Sequence, residues 1–257
     1  MPDTTLPHPQ GSVCWLDTLL GAQQEALEFY QALFGWTGDP DPSDEQVRYA
    51  VQQVRGKASA GIGYMPESEP AMPWTGYFAV DDVDATVERI AELGGTVICP
   101  ATQAPGTGRF AHGIDPGGAH FALWQADPFP GFQIAGEPGC LNWLELVTTE
   151  GKASAEFYGA LLGVEVQAME QMPDSYWTLH AAGQPRAGIF RVDEVAEAYW
   201  RPYFQVADVD IAVAAALAGG AHLTEPAVDT PFGRMATLLD PNGVEIKLTV
   251  PPPETAG

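Results

Sequence analysis

Residues 13–19 (VCWLDTL) form a short apolar run that reads as a strand. Residues 22–34 follow with Leu27, Tyr30, Leu33 and Phe34 at helical spacing, and Gly35 supplies the stop. Two more strands are expected around 46–52 and 57–64. A second set opens with a strand at 76–80. Asp82 is placed to cap a helix whose buried stripe is Val83, Val87, Ile90 and Leu93, and Gly94-Gly95 ends it. Strands near 96–99, 109–114 and 119–124 complete the set. The turn Asp115-Pro116-Gly117-Gly118 joins the last two.

The same pattern then returns. Trp15-Leu16-Asp17 reappears as Trp143-Leu144-Glu145, and Glu28-Phe29-Tyr30 as Glu156-Phe157-Tyr158, an offset of 128 from 30 to 158. Tyr77-Phe78 reappears as Tyr203-Phe204, and Asp115-Pro116 as Asp240-Pro241, an offset of 125 from 115 to 240. A nearly constant offset across a whole domain marks a tandem duplication. The predicted fold class is α+β, with copies at 11–125 and 141–250 and a Pro/Gly-rich linker at 126–140. Strand, helix and three strands recur in four units, at about 13–64, 75–125, 141–190 and 201–250. In each unit an amphipathic helix covers one sheet face, and paired units curl the free faces around a cleft.

This βαβββ order resembles the vicinal oxygen chelate superfamily of glyoxalases, bleomycin-resistance proteins and extradiol dioxygenases. Phe29 to Gly35 and Phe157 to Gly163 are similar to its first-helix signature, as are Val80-Asp81-Asp82-Val83-Asp84 and the Asp-Pro-x-Gly turns. The tandem form looks most like two-domain glyoxalase-like proteins of actinobacteria. The resemblance implies two clefts in one chain, each built from units of different copies. One cleft would hold Trp15, Asp17, Arg201 and Lys247, and the other Trp143, Glu145, Thr75 and His120.

Metal-dependent relatives take their ligands from the first and last strand of each unit. Carried onto this sequence, those positions are Trp15, Gly61, Thr75 and Ala122 in the first copy. In the second they are Trp143, Gly188, Arg201 and Lys247. A register one residue earlier would substitute Cys14 and Asn142. Neither set supplies the four to six nitrogen and oxygen donors a divalent ion needs, so no metal and no other cofactor is predicted.

Alternation along the strands puts Asp17 beside Trp15, Glu145 beside Trp143, Glu245 beside Lys247, and His120 on the face of Trp124. Asp17 and Glu145 are therefore the candidate acid–base groups. Trp15, Trp143, His120, Trp124, Arg201, Glu245 and Lys247 are the candidate ligand contacts. In the competing reading the tryptophans fill the interior, and Glu145 forms a buried ion pair with Arg201 or Lys247. Trp74 and Trp200 read as packing residues. His112, His180 and His222 have no counterpart in the other copy and read as surface or core.

Composition narrows the partners. Eleven basic against 34 acidic residues, a net charge of −23, exclude a dominant basic face for nucleic acid or anionic membrane. No apolar stretch is long enough for a membrane helix. The first ten residues lack the basic start and apolar run of a signal peptide, and the three scattered cysteines read as reduced thiols. A cytoplasmic protein is expected, a monomer acting as a pseudo-dimer or a homodimer. The function expected is metal-independent binding, sequestration or acid–base conversion of a small aromatic or polycyclic molecule. The alternatives are a metal-dependent lyase or dioxygenase, and a non-catalytic interaction protein with vestigial clefts.

Overall fold

The computed structural model describes residues 6–40, 48–66 and 72–252. In the first copy the elements are β1 (Val13–Leu20), α1 (Gln23–Phe34), β2 (Ala50–Val54), β3 (Lys57–Tyr64), β4 (Met72–Ala79), α2 (Val83–Glu92), β5 (Thr96–Ala104), β6 (Gly108–Ile114) and β7 (His120–Ala126). The second copy contains β8 (Leu141–Thr148), α3 (Gly151–Leu162), β9 (Glu165–Ala168), β10 (Tyr176–Ala181), β11 (Gln184–Arg191), β12 (Tyr199–Gln205), α4 (Val209–Ala218), β13 (His222–Thr230), β14 (Gly233–Leu239) and β15 (Glu245–Val250). Local chemistry sets the helix ends. Gly35 and Gly163 adopt the left-handed conformation after α1 and α3. Asp82 and Asp208 accept hydrogen bonds from the Ala85 and Ile211 amides at the start of α2 and α4.

Each copy builds its own sheet. The first has strand order β2-β3-β1-β4-β7-β6-β5, and the second β13-β14-β15-β12-β8-β11-β10-β9. The two units of a copy meet along an antiparallel pair, β1 with β4 and β8 with β12. This corrects the expectation that clefts combine units from different copies. Asp17 shares a sheet with Thr75 and His120, and Glu145 with Arg201 and Lys247.

The first unit also departs from the expected strand count. Of the strand expected at 46–52, residues 46–47 lie outside the described residues, and β2 begins at Ala50. Where the second copy has β9, the first has a single bridge between Thr37 and Gln53. Gly38 and Pro40 flank that bridge, and neither supports a regular ladder.

The copies stand back to back, with helices and apolar sheet faces between them. Side chains of β4 alternate: Trp74 and Phe78 turn inward between the copies, while Thr75 and Tyr77 turn to the concave face. In β12, Trp200 and Phe204 turn inward, while Arg201 and Tyr203 face the other concavity. Phe34, Trp36, Trp74 and Phe204 form one aromatic cluster, and Phe78, Phe121, Tyr158 and Trp200 the mirrored one. Burying rings of about 150–250 Å² each makes these clusters the dominant glue between copies. Polar locks fix the orientation. The Tyr30 hydroxyl accepts from Trp74 Nε1 at 3.1 Å and donates to Asp240 Oδ2 of the opposite copy at 2.9 Å. Tyr158 takes the indole of Trp200 at 3.1 Å and stands against Asp115 in the equivalent place. Among the described residues no helix is long and apolar enough to cross a membrane.

Candidate functional site

Each concave face carries the same four-residue arrangement at its floor. In the first copy Asp17 lies between Gly61 on β3 and Thr75 on β4. Its Oδ2 accepts hydrogen bonds from the hydroxyls of Tyr49 and Tyr77, both at 2.8 Å. Trp15 Nε1 donates to the Tyr49 hydroxyl at 2.7 Å. In the second copy Glu145 lies between Gly188 and Arg201. The Tyr203 hydroxyl donates to its Oε1 at 2.7 Å, Tyr176 stands beside it, and Trp143 Nε1 donates to the Tyr176 hydroxyl at 3.0 Å. Tryptophan, tyrosine, carboxylate and tyrosine thus recur in both cups.

The glycines explain how the tyrosines reach the carboxylates. A Cβ on Gly61 would lie 1.9 Å from the Tyr49 hydroxyl, and one on Gly188 would lie 2.1 Å from that of Tyr176. Both are positions to which the family resemblance would assign metal ligands. Here the missing side chain is the space a phenol occupies.

The cups differ in charge. Asp17 has no basic partner among the described residues, and burial pushes its carboxyl up to about 7 against the pull of its two tyrosine donors. Its Oδ1 is buried and has no hydrogen-bond partner among the described residues. Because both phenols donate to Oδ2, a proton on this group sits on Oδ1. Glu145 instead meets the Arg201 guanidinium at 2.5 Å. Arg201 also reaches Glu245 at 3.3 Å, and Glu245 accepts from Tyr199 at 2.9 Å. Lys247 pairs with Glu225 at 3.3 Å and lies 5.5 Å from the Tyr203 ring centroid. Glu145 is therefore one half of a buried ion pair.

A histidine pair borders the first cup. His112 and His120 stack with centroids 5.1 Å apart, and His112 Nδ1 lies 3.2 Å from His120 Nε2. His120 Nδ1 lies 3.1 Å from the Thr75 hydroxyl. Burial holds both rings neutral, with His112 pushed down to about 3 and His120 to about 4.

Several candidates sit differently from the simple picture of open aromatic walls. Trp15 is covered by linker residues, packing against Phe129 and Phe132 at 5.2 and 5.5 Å between centroids. Trp124 is buried and donates to the Phe129 carbonyl. Trp143 remains half-buried, with no such cover among the described residues. Sequence reasoning missed Tyr49, Tyr77, Tyr176, Tyr203 and His112. Tyr77 and Tyr203 are visible in the sequence as a repeated pair with the alternation of the cup face. Tyr49 and Tyr176 recur at a similar offset but sit in dissimilar surroundings.

The donor set does not fit a chelated divalent ion. Trp15, Gly61, Thr75 and Ala122 in one cup and Trp143, Gly188, Arg201 and Lys247 in the other bring no carboxylate or imidazole to the chelate positions. The adjacent carboxylates are committed to tyrosine and arginine donors. Among the described residues no cluster of three or more His, Cys, Asp or Glu is disposed to hold an ion.

Comparison with known proteins agrees with the fold. A model of the glyoxalase-like domain matches residues 17–124 and again 143–249. CFP32 of Mycobacterium tuberculosis, which bears the provisional name glyoxylase, is 36% identical over 255 residues, covering 96% of this chain and 97% of its own. The anthracycline biosynthesis protein DnrV of Streptomyces peucetius is 36% identical over 254 residues, covering 91% and 90%. The Mn(II)-bound glyoxalase from Novosphingobium aromaticivorans superposes with a TM-score of 0.67 at 15% identity, over 94% of this chain and 82% of that one. The 2,3-dioxygenase LapB from Pseudomonas sp. KL28 gives 0.63 at 14%, over 98% and 96%. The two solved structures share the fold, while the family model and the sequence relatives establish kinship: this chain belongs to the glyoxalase-like family and carries its domain twice.

Proposed function

We propose that the chain binds a small aromatic or polycyclic molecule in its concave faces without a metal ion, using hydrogen bonding and stacking where metal-dependent relatives use coordination. The observation that carries this reading is the repeated tryptophan–tyrosine–carboxylate–tyrosine arrangement, which fills the chelate region of both cups with organic donors. In the first cup, the buried Asp17 carboxyl anchors the Tyr49 and Tyr77 phenols beneath the aromatic face. In the second cup, Trp143 and Tyr176 offer aromatic surface, and the Lys247 ammonium lies 5.5 Å from the Tyr203 ring centroid. The name of DnrV makes an anthracycline a reasonable probe, since its planar ring system carries both carbonyl and hydroxyl groups.

Daunorubicin and alizarin, titrated into the protein with excess chelator, test the reading through tryptophan fluorescence. Saturable quenching by at least one of them, unchanged by the chelator and weakened by Trp143→Ala or Asp17→Ala, is expected. Absence of saturable quenching by both, or binding that requires added Mn, Zn, Ni or Fe, overturns it. The expected partner is this small molecule, with no nucleic acid and no membrane lipid.

A further inference from the structure

Counting hydrogen bonds favours one proton order in the histidine pair of the first cup. The Thr75 hydroxyl donates to the Pro73 carbonyl at 3.2 Å, so toward His120 Nδ1 it is the acceptor. His120 therefore carries its proton on Nδ1 and presents a lone pair at Nε2. That lone pair lies 3.2 Å from His112 Nδ1, which must then be the protonated nitrogen of His112. The opposite order would leave the Pro73 carbonyl without the threonine proton and so forms one hydrogen bond fewer. The chain Pro73–Thr75–His120–His112 ends on His112 Nε2, a bare lone pair. His112 is half-buried, its ring set edge-on to Tyr77 at 5.5 Å and to Phe110 at 5.4 Å between centroids. Tyr77 is the phenol that also holds Asp17. His112 thus presents an acceptor on the concave face beside Tyr77, whose hydroxyl is anchored on the buried Asp17.

We propose that His112 Nε2 is a fixed hydrogen-bond acceptor in the first cup, selecting aromatic ligands that carry a hydroxyl over those that do not. This rests on the reading of the cup as an aromatic-binding site and specifies the substituent it recognises. Thr75 and His120 are positioning residues, because they act by fixing which nitrogen of His112 is bare. Burial, which holds both rings neutral, keeps that lone pair available across the physiological range. The ligand class is a phenol or a hydroxylated quinone, its hydroxyl toward His112.

Two measurements test it. In two-bond proton–nitrogen spectra of the free protein, His112 and His120 should both show the Nδ1-protonated tautomer, the less common one in solution. An Nε2-protonated His112 overturns the proposal. In the second, 2-hydroxyanthraquinone, 2-methoxyanthraquinone and unsubstituted anthraquinone are titrated at mildly acidic pH, where the phenol is neutral. The hydroxyl compound should bind about tenfold more tightly than the other two, the order expected for one hydrogen bond to a buried acceptor. His112→Phe, which keeps a ring against Tyr77, should bring the ratio close to one, and Thr75→Val should lower it while shifting the His120 tautomer. Equal affinities with no effect of His112→Phe sink this inference and leave aromatic binding intact. Failure of all three anthraquinones to bind sinks this inference, and failure of daunorubicin and alizarin as well sinks both.

Discussion

Replacing Asp17 with asparagine converts the unusual acidity of the first cup into a stability measurement. The carboxyl rises from an ordinary 3.8 to about 7 because it is buried with hydroxyl partners and no cation. A gap of that size corresponds to about 4 kcal/mol between the two protonation states. The sign follows from proton counting. Between the two values the folded chain holds a proton that the unfolded chain has released, so the Asp17 contribution lowers stability as pH rises and levels off above about 7. Roughly 1.5 kcal/mol of this cost is present by about pH 5, and roughly 2.5 kcal/mol more accrues by about pH 8. The asparagine side chain cannot ionise; its oxygen can accept from Tyr49 and Tyr77, and its amide stands unpaired at a pH-independent cost of about 1–3 kcal/mol. Urea unfolding of both proteins at about pH 5 and pH 8 isolates the effect, because every other titrating group cancels in the difference. The Asp17→Asn variant should gain about 2.5 kcal/mol relative to the parent on going to the higher pH. A difference independent of pH, or one moving in the opposite direction, would refute the assignment of Asp17 as a neutral buried acid.

The second cup responds differently. Arg201→Met strands Glu145, and its neighbour Glu245, without their cation, and should cost about 3–5 kcal/mol in denaturant unfolding. Arg201→Met combined with Glu145→Leu should recover most of that loss. Gly61→Ala and Gly188→Ala each drive a methyl group into a tyrosine hydroxyl, at an expected cost of about 1–3 kcal/mol. Pairing Gly61→Ala with Tyr49→Phe should return part of it by removing the clashing oxygen, a non-additivity readable in thermal melts. Tyr30→Phe leaves a buried Asp240 oxygen unpaired between the copies and should lower stability by about 1–3 kcal/mol, with Tyr158→Phe adding independently.

The duplication and the four units were legible because their signals are local: caps at Asp82 and Asp208, glycine stops at Gly35 and Gly163, and Asp-Pro turns before the last strands. Which units share a sheet was not legible. β1 presents the same alternating face whether it pairs with β4 or with β12, and the choice depends on packing that a strand pattern does not encode. The linker takes part in that packing, since Phe129 and Phe132 close over Trp15. Trp15 with Asp17, and Trp143 with Glu145, could be placed on one strand face by alternation alone. Their tyrosine partners could not, because Tyr49 reaches Asp17 from outside the regular strands, through the space left by Gly61. His112 was hidden by the repeat itself. Its pairing with His120 is diagonal across the β6–β7 hairpin, and no histidine stands at the corresponding places in the second copy.

The claim on which the functional reading depends is that these cups recognise their ligand through organic donors and aromatic surface. Element-resolved mass spectrometry on protein produced with Mn, Fe, Ni and Zn in the medium, paired with daunorubicin titration before and after chelation, tests it directly. The account predicts far less than one equivalent of any divalent metal per cup and identical binding curves. One equivalent per cup, removed by the chelator together with ligand binding, would contradict it.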